Sequence, residues 1–367
     1  MARFTNLFVV FAFVLAMSSE ACSTPIEFSQ GGMAFVEVGD LGNVSSTSGY
    51  GAVAYSFGMG RHEVTINQYC EFLNAVAKSD PYGLYDTRMA TNLNVAGISR
   101  SGSSGAYAYA VMDNAGYSGN RPISYVGAYS AMRFTNWMSN GKGSGSTESG
   151  AYYLQGQING ALPDRTPDAG FYIPTDDEWY KAAYYSPTLN GDAGGYYSRP
   201  TQSNAIPGNS VGESPNQANI LVAVDFFWTA SVTQSSNYDP NQNYLTDAGA
   251  FSASASYYGT LDQHGNVREW TFLPGTGNAI VRDSDWHTPA WFESGGSFVN
   301  FSNSSNTPGP GGGMDDDGYV NNFSSATSAL GFRLAYIQPV PEPSSIVLAG
   351  VGVCIGIVWH FRRRGVA

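Results

Sequence analysis

Ile173-Pro174-Thr175-Asp176-Asp177-Glu178-Trp179 is the clearest structural instruction in this chain. Thr175 followed three residues later by Glu178 is a capping box, in which each side chain satisfies a free backbone N–H of the other. The acids at 176 to 178 suit the positive end of a helix dipole. Trp179, Ala182 and Ala183 then supply an inner face. A second box, Thr65 with Gln68, opens another helix, with Tyr69, Phe72, Leu73, Val76 and Ala77 on one side. That helix should end near Lys78, before Asp80-Pro81. A third should open at Arg121-Pro122-Ile123-Ser124 and carry Ala128, Ala131, Phe134 and Trp137 inward. The polar Gly/Ser run from Gly141 to Gly150 closes it.

Elsewhere helical spacing is absent. Tyr82 to Asn120 is rich in Gly, Ser, Tyr and Ala and reads as loops with short strands. Tyr185 to about Asn243 reads as turns and short strands rich in Asn, Pro and Gly. Two further segments stand out, Tyr258 to Trp270 and Leu330-Gly331-Phe332-Arg333-Leu334-Ala335. There is no tandem repeat, and Ser302 to Gly313 is a low-complexity loop. A few helices among many short strands point to a loop-rich α+β domain.

Composition narrows the function classes. The chain has 17 basic and 29 acidic residues. Setting aside Arg3, Glu20 and Arg362 to Arg364 leaves 13 basic against 28 acidic, a balance of −15. Such a body repels nucleic acid and anionic membrane surfaces. Aromatics at 14% supply enough core material to exclude disorder. Of the three cysteines, Cys22 and Cys354 lie at the two ends, so only Cys70 lies well inside the body and no disulfide can close there. Cys70 reads as a small buried hydrophobe.

The ends read as addresses. Residues 1–21 have a basic Arg3, an apolar stretch from Leu7 to Met17 and the small-x-small Ser19-Glu20-Ala21, the pattern of a cleaved signal peptide. At residues 340–367, Val340-Pro341-Glu342-Pro343 precedes an apolar run and Arg362-Arg363-Arg364. The run is about 16 residues, short of the roughly 20 that span a bilayer comfortably. This order resembles the PEP-CTERM sorting signal of Gram-negative bacteria, which implies a transient transmembrane sorting helix and cleavage by an exosortase. An ordinary C-terminal membrane anchor is the alternative.

His62-Glu63-Val64-Thr65 with the helix behind it, the Pro122 to Trp137 segment, Ile173 through Ala183, Gly265-Asn266-Val267-Arg268-Glu269-Trp270, Gly295-Gly296-Ser297-Phe298 and Gly331-Phe332-Arg333 follow one another in order. Together they resemble the formylglycine-generating enzyme, or sulfatase-modifying factor, domain over residues 35–337. The resemblance implies a single α+β domain related to the C-type-lectin-like fold.

Active members of that family oxidise a substrate cysteine with O₂ on copper held by two cysteines after the Gly-Gly-Ser. Two soft thiolates select Cu(I). Here those positions are Asn300 and Ser305, a substrate-binding asparagine is replaced by Ala329, and an aromatic is replaced by Arg268. Copper and formylglycine synthesis are therefore not expected. One family calcium site maps onto Asp262, Gly265, Val267 and Glu269, with the two middle residues giving backbone oxygens; hard oxygens suit Ca²⁺. A second would begin at Asn219 and Ile220, with Asp239 or Asp247 as its acid. Non-haem iron has no two-His-one-carboxylate spacing to use among His62, His264 and His287, and there is no nucleophile elbow or Walker loop.

The expectation is an exported, surface- or matrix-associated binding or structural protein whose aromatic cleft takes a peptide, glycan or matrix polymer. Ser297, Trp286, Trp291, Phe292, Phe298 and Tyr336 are the candidate walls. The alternative is an oxidoreductase of the same family with an altered metal site acting on a thiol.

Overall fold

A computed structural model describes residues 25–290, 298–301 and 330–337. In chain order the elements begin with β1 (Glu27–Gln30), β2 (Met33–Val38), β3 (Phe57–Gly60), α1 (Ile66–Val76), α2 (Arg88–Thr91), β4 (Ile98–Ser101) and β5 (Ala108–Val111). They continue with α3 (Ala128–Ser139), β6 (Phe171–Tyr172), α4 (Asp176–Tyr184), β7 (Tyr185–Ser186), α5 (Leu189–Asp192) and β8 (Gly195–Tyr196). The last are β9 (Val222–Val224), β10 (Phe227–Thr229), β11 (Arg268–Leu273), β12 (Asn278–Arg282), β13 (Phe298–Phe301), β14 (Leu330–Gly331) and β15 (Ala335–Tyr336).

Two sheets organise these pieces. One has the order β1-β2-β3-β15-β6, antiparallel throughout; the other has the order β13-β12-β11-β14, with β11 and β14 parallel. Both expected capping boxes form: Thr65 and Thr175 each accept from the N–H three residues on, and Gln68 and Glu178 return the bond. The α1 and α3 faces interlock through Phe72, Phe134 and Trp137, with ring centroids 5.4 to 5.5 Å apart, and Phe332 closes edge-on over Phe134 at 5.3 Å. Edge and offset contacts of this kind add to simple burial.

The third helix starts later than the sequence suggests. Arg121 to Ser124 stays extended because its backbone serves the entry of α1. Ile66 N–H donates to Arg121 O, Ile123 N–H donates to Val64 O, and Pro122 bridges Thr65. Tyr125 then turns left-handed at φ 59°, and Gly127 caps α3 with an extended backbone. The Tyr82 to Asn120 stretch holds the β4–β5 hairpin and one turn of helix, α2, which no periodicity announces. Among the described residues no helix is long and apolar enough to cross a membrane; the expected sorting helix and signal peptide lie outside them.

Buried cations tie the layers together. Arg333 is fully buried between the sheets and donates from Nε and Nη2 to both oxygens of Glu269 at 2.6 Å. It also reaches Gly60 O at 3.0 Å and Leu261 O at 2.9 Å. Trp179 Nε1 donates to Glu269 Oε2 at 2.8 Å, which brings in α4. Arg282 pairs with Asp176 in the first turn of α4 and lies over the Tyr50 ring at 4.5 Å. Removing one partner of such a pair strands the other charge in a low-dielectric interior. Arg333→Met should therefore cost about 3–5 kcal/mol, read from chemical denaturation; a loss below about 1 kcal/mol would show the pair to be dispensable.

Lys181 is also fully buried and donates to Asp40 O at 2.9 Å and Val53 O at 3.4 Å. Burial pushes its ammonium down to about 8 from 10.5. Below about 8 the lysine is charged in both states and the full penalty applies. Between 8 and 10.5 only the unfolded chain holds the extra proton, so this group's contribution to stability rises with pH across that window. Lys181→Met should remove that rise, by at most about 3 kcal/mol. Parallel stability curves for the two proteins from pH 8 to 10.5 would disprove it.

Candidate functional site

The Tyr258 to Trp270 segment coils tightly before entering β11. Asp262, Gly265 and Asn266 have φ of 58°, 89° and 64°. At Gly265 a Cβ would lie 2.3 Å from Asn219 O, so only glycine lets the two loops meet there. They are joined by Asn266 N–H donating to Asn219 O, and by Asn219 Nδ2 donating to Asn266 Oδ1 and Tyr244 O, each at 2.9 Å. The two expected calcium segments thus lie side by side.

Three carboxylates gather behind this junction. Glu269 is committed to Arg333 and Trp179. Asp262 Oδ2 accepts from Gly249 N–H at 2.5 Å, and burial raises the pKa of its carboxyl above the usual range. Glu63, on the strand-like entry to α1, is the residue that sequence reasoning missed. It is fully buried, and neither carboxylate oxygen has a hydrogen-bond partner. Burial, then the charge of Asp262, push its pKa well up, and Arg333 opposes this. One guanidinium cannot balance three buried carboxylates. The signal that could have found Glu63 is an acid directly before a capping box with apolar residues on both sides.

Oxygens of the kind that a hard cation takes are present in the unpartnered carboxylate of Glu63 and in the carboxylate of Asp262. Glu269 fits less directly, because Arg333 occupies both of its oxygens. Among the described residues no three His, Cys, Asp or Glu side chains converge as a metal cluster. The second expected set is weaker. Ile220 O already accepts from Asn209 Nδ2 and Ser231 Oγ, while Asp239 accepts from Asn241 N–H in its own loop and Asp247 lies toward Arg121.

The profile of the sulfatase-modifying factor enzyme 1-like domain matches residues 30–336. The chain belongs to this family. A PEP-CTERM protein-sorting motif matches residues 339–364, the signal for export to the cell surface of Gram-negative bacteria with processing by an exosortase. No curated protein matches the sequence. Among solved structures the chain is similar to Treponema denticola variable protein 1, at 17% identity and a TM-score of 0.45, covering 86% of this chain and 100% of that one. It is also similar to CarF, at 16% identity and a TM-score of 0.40 over 83% of this chain and 94% of that one. For PvdO from Pseudomonas aeruginosa the values are 14% and 0.42, over 86% of this chain and 100% of that one.

Of the two residues expected at the family's copper positions, Asn300 lies on β13 with its backbone opposite Ile280 of β12. Ser305, Ala329, Ser297, Trp291 and Phe292 lie outside the described residues, and Phe298 is described in its backbone only. Arg268, expected to stand where the family has an aromatic, pairs with Asp285 at 3.4 Å.

Two expected cleft aromatics prove to be core. Trp286 is 8% exposed and stacks flat on Tyr244 at 4.7 Å and 6°, so its face is covered. Tyr336 packs among Phe171, Phe35 and Phe28 with centroids 5.0 to 6.1 Å away. His264 Nδ1 lies 2.9 Å from Asp283 Oδ1, and Ser284 Oγ donates to that same oxygen at 2.7 Å. The three residues of a hydrolytic triad are present, but Ser284 sits on the Asp-facing nitrogen. A triad needs the hydroxyl on Nε2, and His264 Nε2 has no partner.

Proposed function

We propose that this protein is a surface- or matrix-associated binding or structural protein built on a catalytically degenerate sulfatase-modifying factor domain. The observation that carries this reading is the cysteine count: the matched domain contains Cys70 alone. Cys70 is on α1, 6% exposed, and burial raises its thiol pKa. No alignment of the loops can therefore supply two thiolates for Cu(I). The ligand is a glycan, peptide or matrix polymer. Before processing, the apolar run after Pro343 anchors the chain in the membrane, and the exosortase then releases it.

Purified chain incubated with a Cys-x-Pro-x-Arg peptide and Cu(I) should yield no formylglycine by mass spectrometry. Copper-dependent conversion, or stoichiometric copper or iron after growth in metal-replete medium, would favour an oxidoreductase with an altered metal site.

Calcium is the structural cofactor of this reading, held by Asp262, Gly265, Val267 and Glu269 with Glu63 as a further carboxylate. It relieves the buried negative charge that Glu63 and Asp262 otherwise carry against a single Arg333. Binding to the native state alone adds about 2.7 kcal/mol at a hundredfold excess over Kd. Chelator should thus lower the melting temperature by several degrees, and Glu63→Gln with Asp262→Asn should lose most of that response. These variants are preferred to Glu269→Ala, which would also strand Arg333. Because the ion needs Glu63 ionised against a raised pKa, its affinity should rise with pH. Identical melting of wild type and variant with and without chelator would reduce the loop to a capped turn.

A further inference from the structure

The turn of the β11–β12 hairpin, the loop around Leu162 to Arg165 and the start of α4 enclose a cavity of about 360 Å³. It lies within the size range of small-ligand sites. Tyr55, Tyr152 and Phe272 give it aromatic walls, and Leu162 and Ile173 add aliphatic ones. Tyr55 is 40% exposed and so presents the accessible ring, while Phe272 is 8% exposed and forms the floor.

The polar groups are few and held in place. Asp164 Oδ1 accepts from Gly275 N–H at 2.8 Å, which fixes the hairpin turn against the opposite wall. The Arg165 guanidinium lies over the Tyr172 ring at 3.9 Å. Tyr55 and Tyr172 hydroxyls both donate to Glu178 Oε1, at 2.7 and 2.9 Å, so Tyr55 is fixed from behind. Asn278 Oδ1 is a buried acceptor with no partner.

These features select against charged ligands. Asp164 and Arg165 are adjacent in the lining and of opposite sign, so the wall carries no net charge, and a charged ligand drawn to one is repelled by the other. A neutral ring with one apolar face and a rim of hydroxyls meets no such repulsion. Its C–H face stacks on an aromatic wall, one hydroxyl donates to Asn278 Oδ1, and another accepts from Arg165. We propose that this pocket binds a neutral pyranose residue of a polysaccharide. The inference rests on the binding role above and gives that role a site, in place of the cleft walls at Trp286 and Tyr336 that turn out to be core.

The test is calorimetry or saturation-transfer NMR on the purified full chain with methyl hexopyranosides, a neutral glucan, a polyuronate and a polyhexosamine. The neutral probes should bind, and the polyuronate and polyhexosamine should bind about tenfold more weakly or not at all. Asn278→Leu and Tyr55→Ala should each weaken neutral binding about tenfold while melting close to wild type. Should either variant fail to fold, Pro274→Trp on the exposed turn plugs the mouth and should produce the same loss. Binding that persists unchanged in folded variants overturns the pocket and leaves the binding role standing. A preference for either charged polymer also overturns it. A wild type that binds no glycan or peptide but turns over a thiol overturns both.

Discussion

The domain hangs on one buried ion pair. Arg333 and Glu269 meet through two short bonds in a region that excludes water, and every other bond they make reaches a different part of the chain. Glu269 receives the Trp179 indole from α4, and Arg333 reaches Gly60 at the end of β3 and Leu261 in the coiled loop. Four segments remote in sequence are thereby fixed at one point. Where regular structure is sparse, a charge that must be satisfied does the positioning that long strands and helices do elsewhere. Arg282 with Asp176 and Arg133 with Glu148 repeat the device on a smaller scale.

That arrangement also explains why the carboxylates lie so close to a loop junction. The left-handed turn at Asp262 and the glycine at 265 let the Asn219 loop approach within bonding distance, with Glu63 and Asp262 buried nearby. Two negative charges exceed what Arg333 can neutralise. A proton on one of these carboxyls, or a bound cation, must complete the interior.

Much of this was legible in the residues because it is local. Thr65 with Gln68 and Thr175 with Glu178 announce their helices, since a capping box involves four consecutive positions and little else. Arg121 to Ser124 misled because its backbone is spent on α1, a pairing over more than fifty residues that no periodicity records. Trp286 and Tyr336 misled for a related reason: composition cannot tell a ring that walls a cleft from one covered by Tyr244 or Phe171. Glu63 escaped notice because the charges that act on it, Asp262 and Arg333, lie some two hundred residues or more away in sequence. The pocket beside the β11–β12 turn draws on five separate segments and has no signature in any of them.

The strand order carries an implication for export. β15, the last strand of the domain, sits between β3 and β6 rather than at an edge, and Arg333 arrives only two residues before it. A chain emerging from a membrane channel in order therefore has neither the middle of its first sheet nor the partner of Glu269 until nearly the whole domain is through. Threading and folding are separated in time by topology alone. Any chain that crosses a membrane unfolded gains from being unable to close early, and a truncated product of this one should be left for proteases rather than persist as a half-built domain.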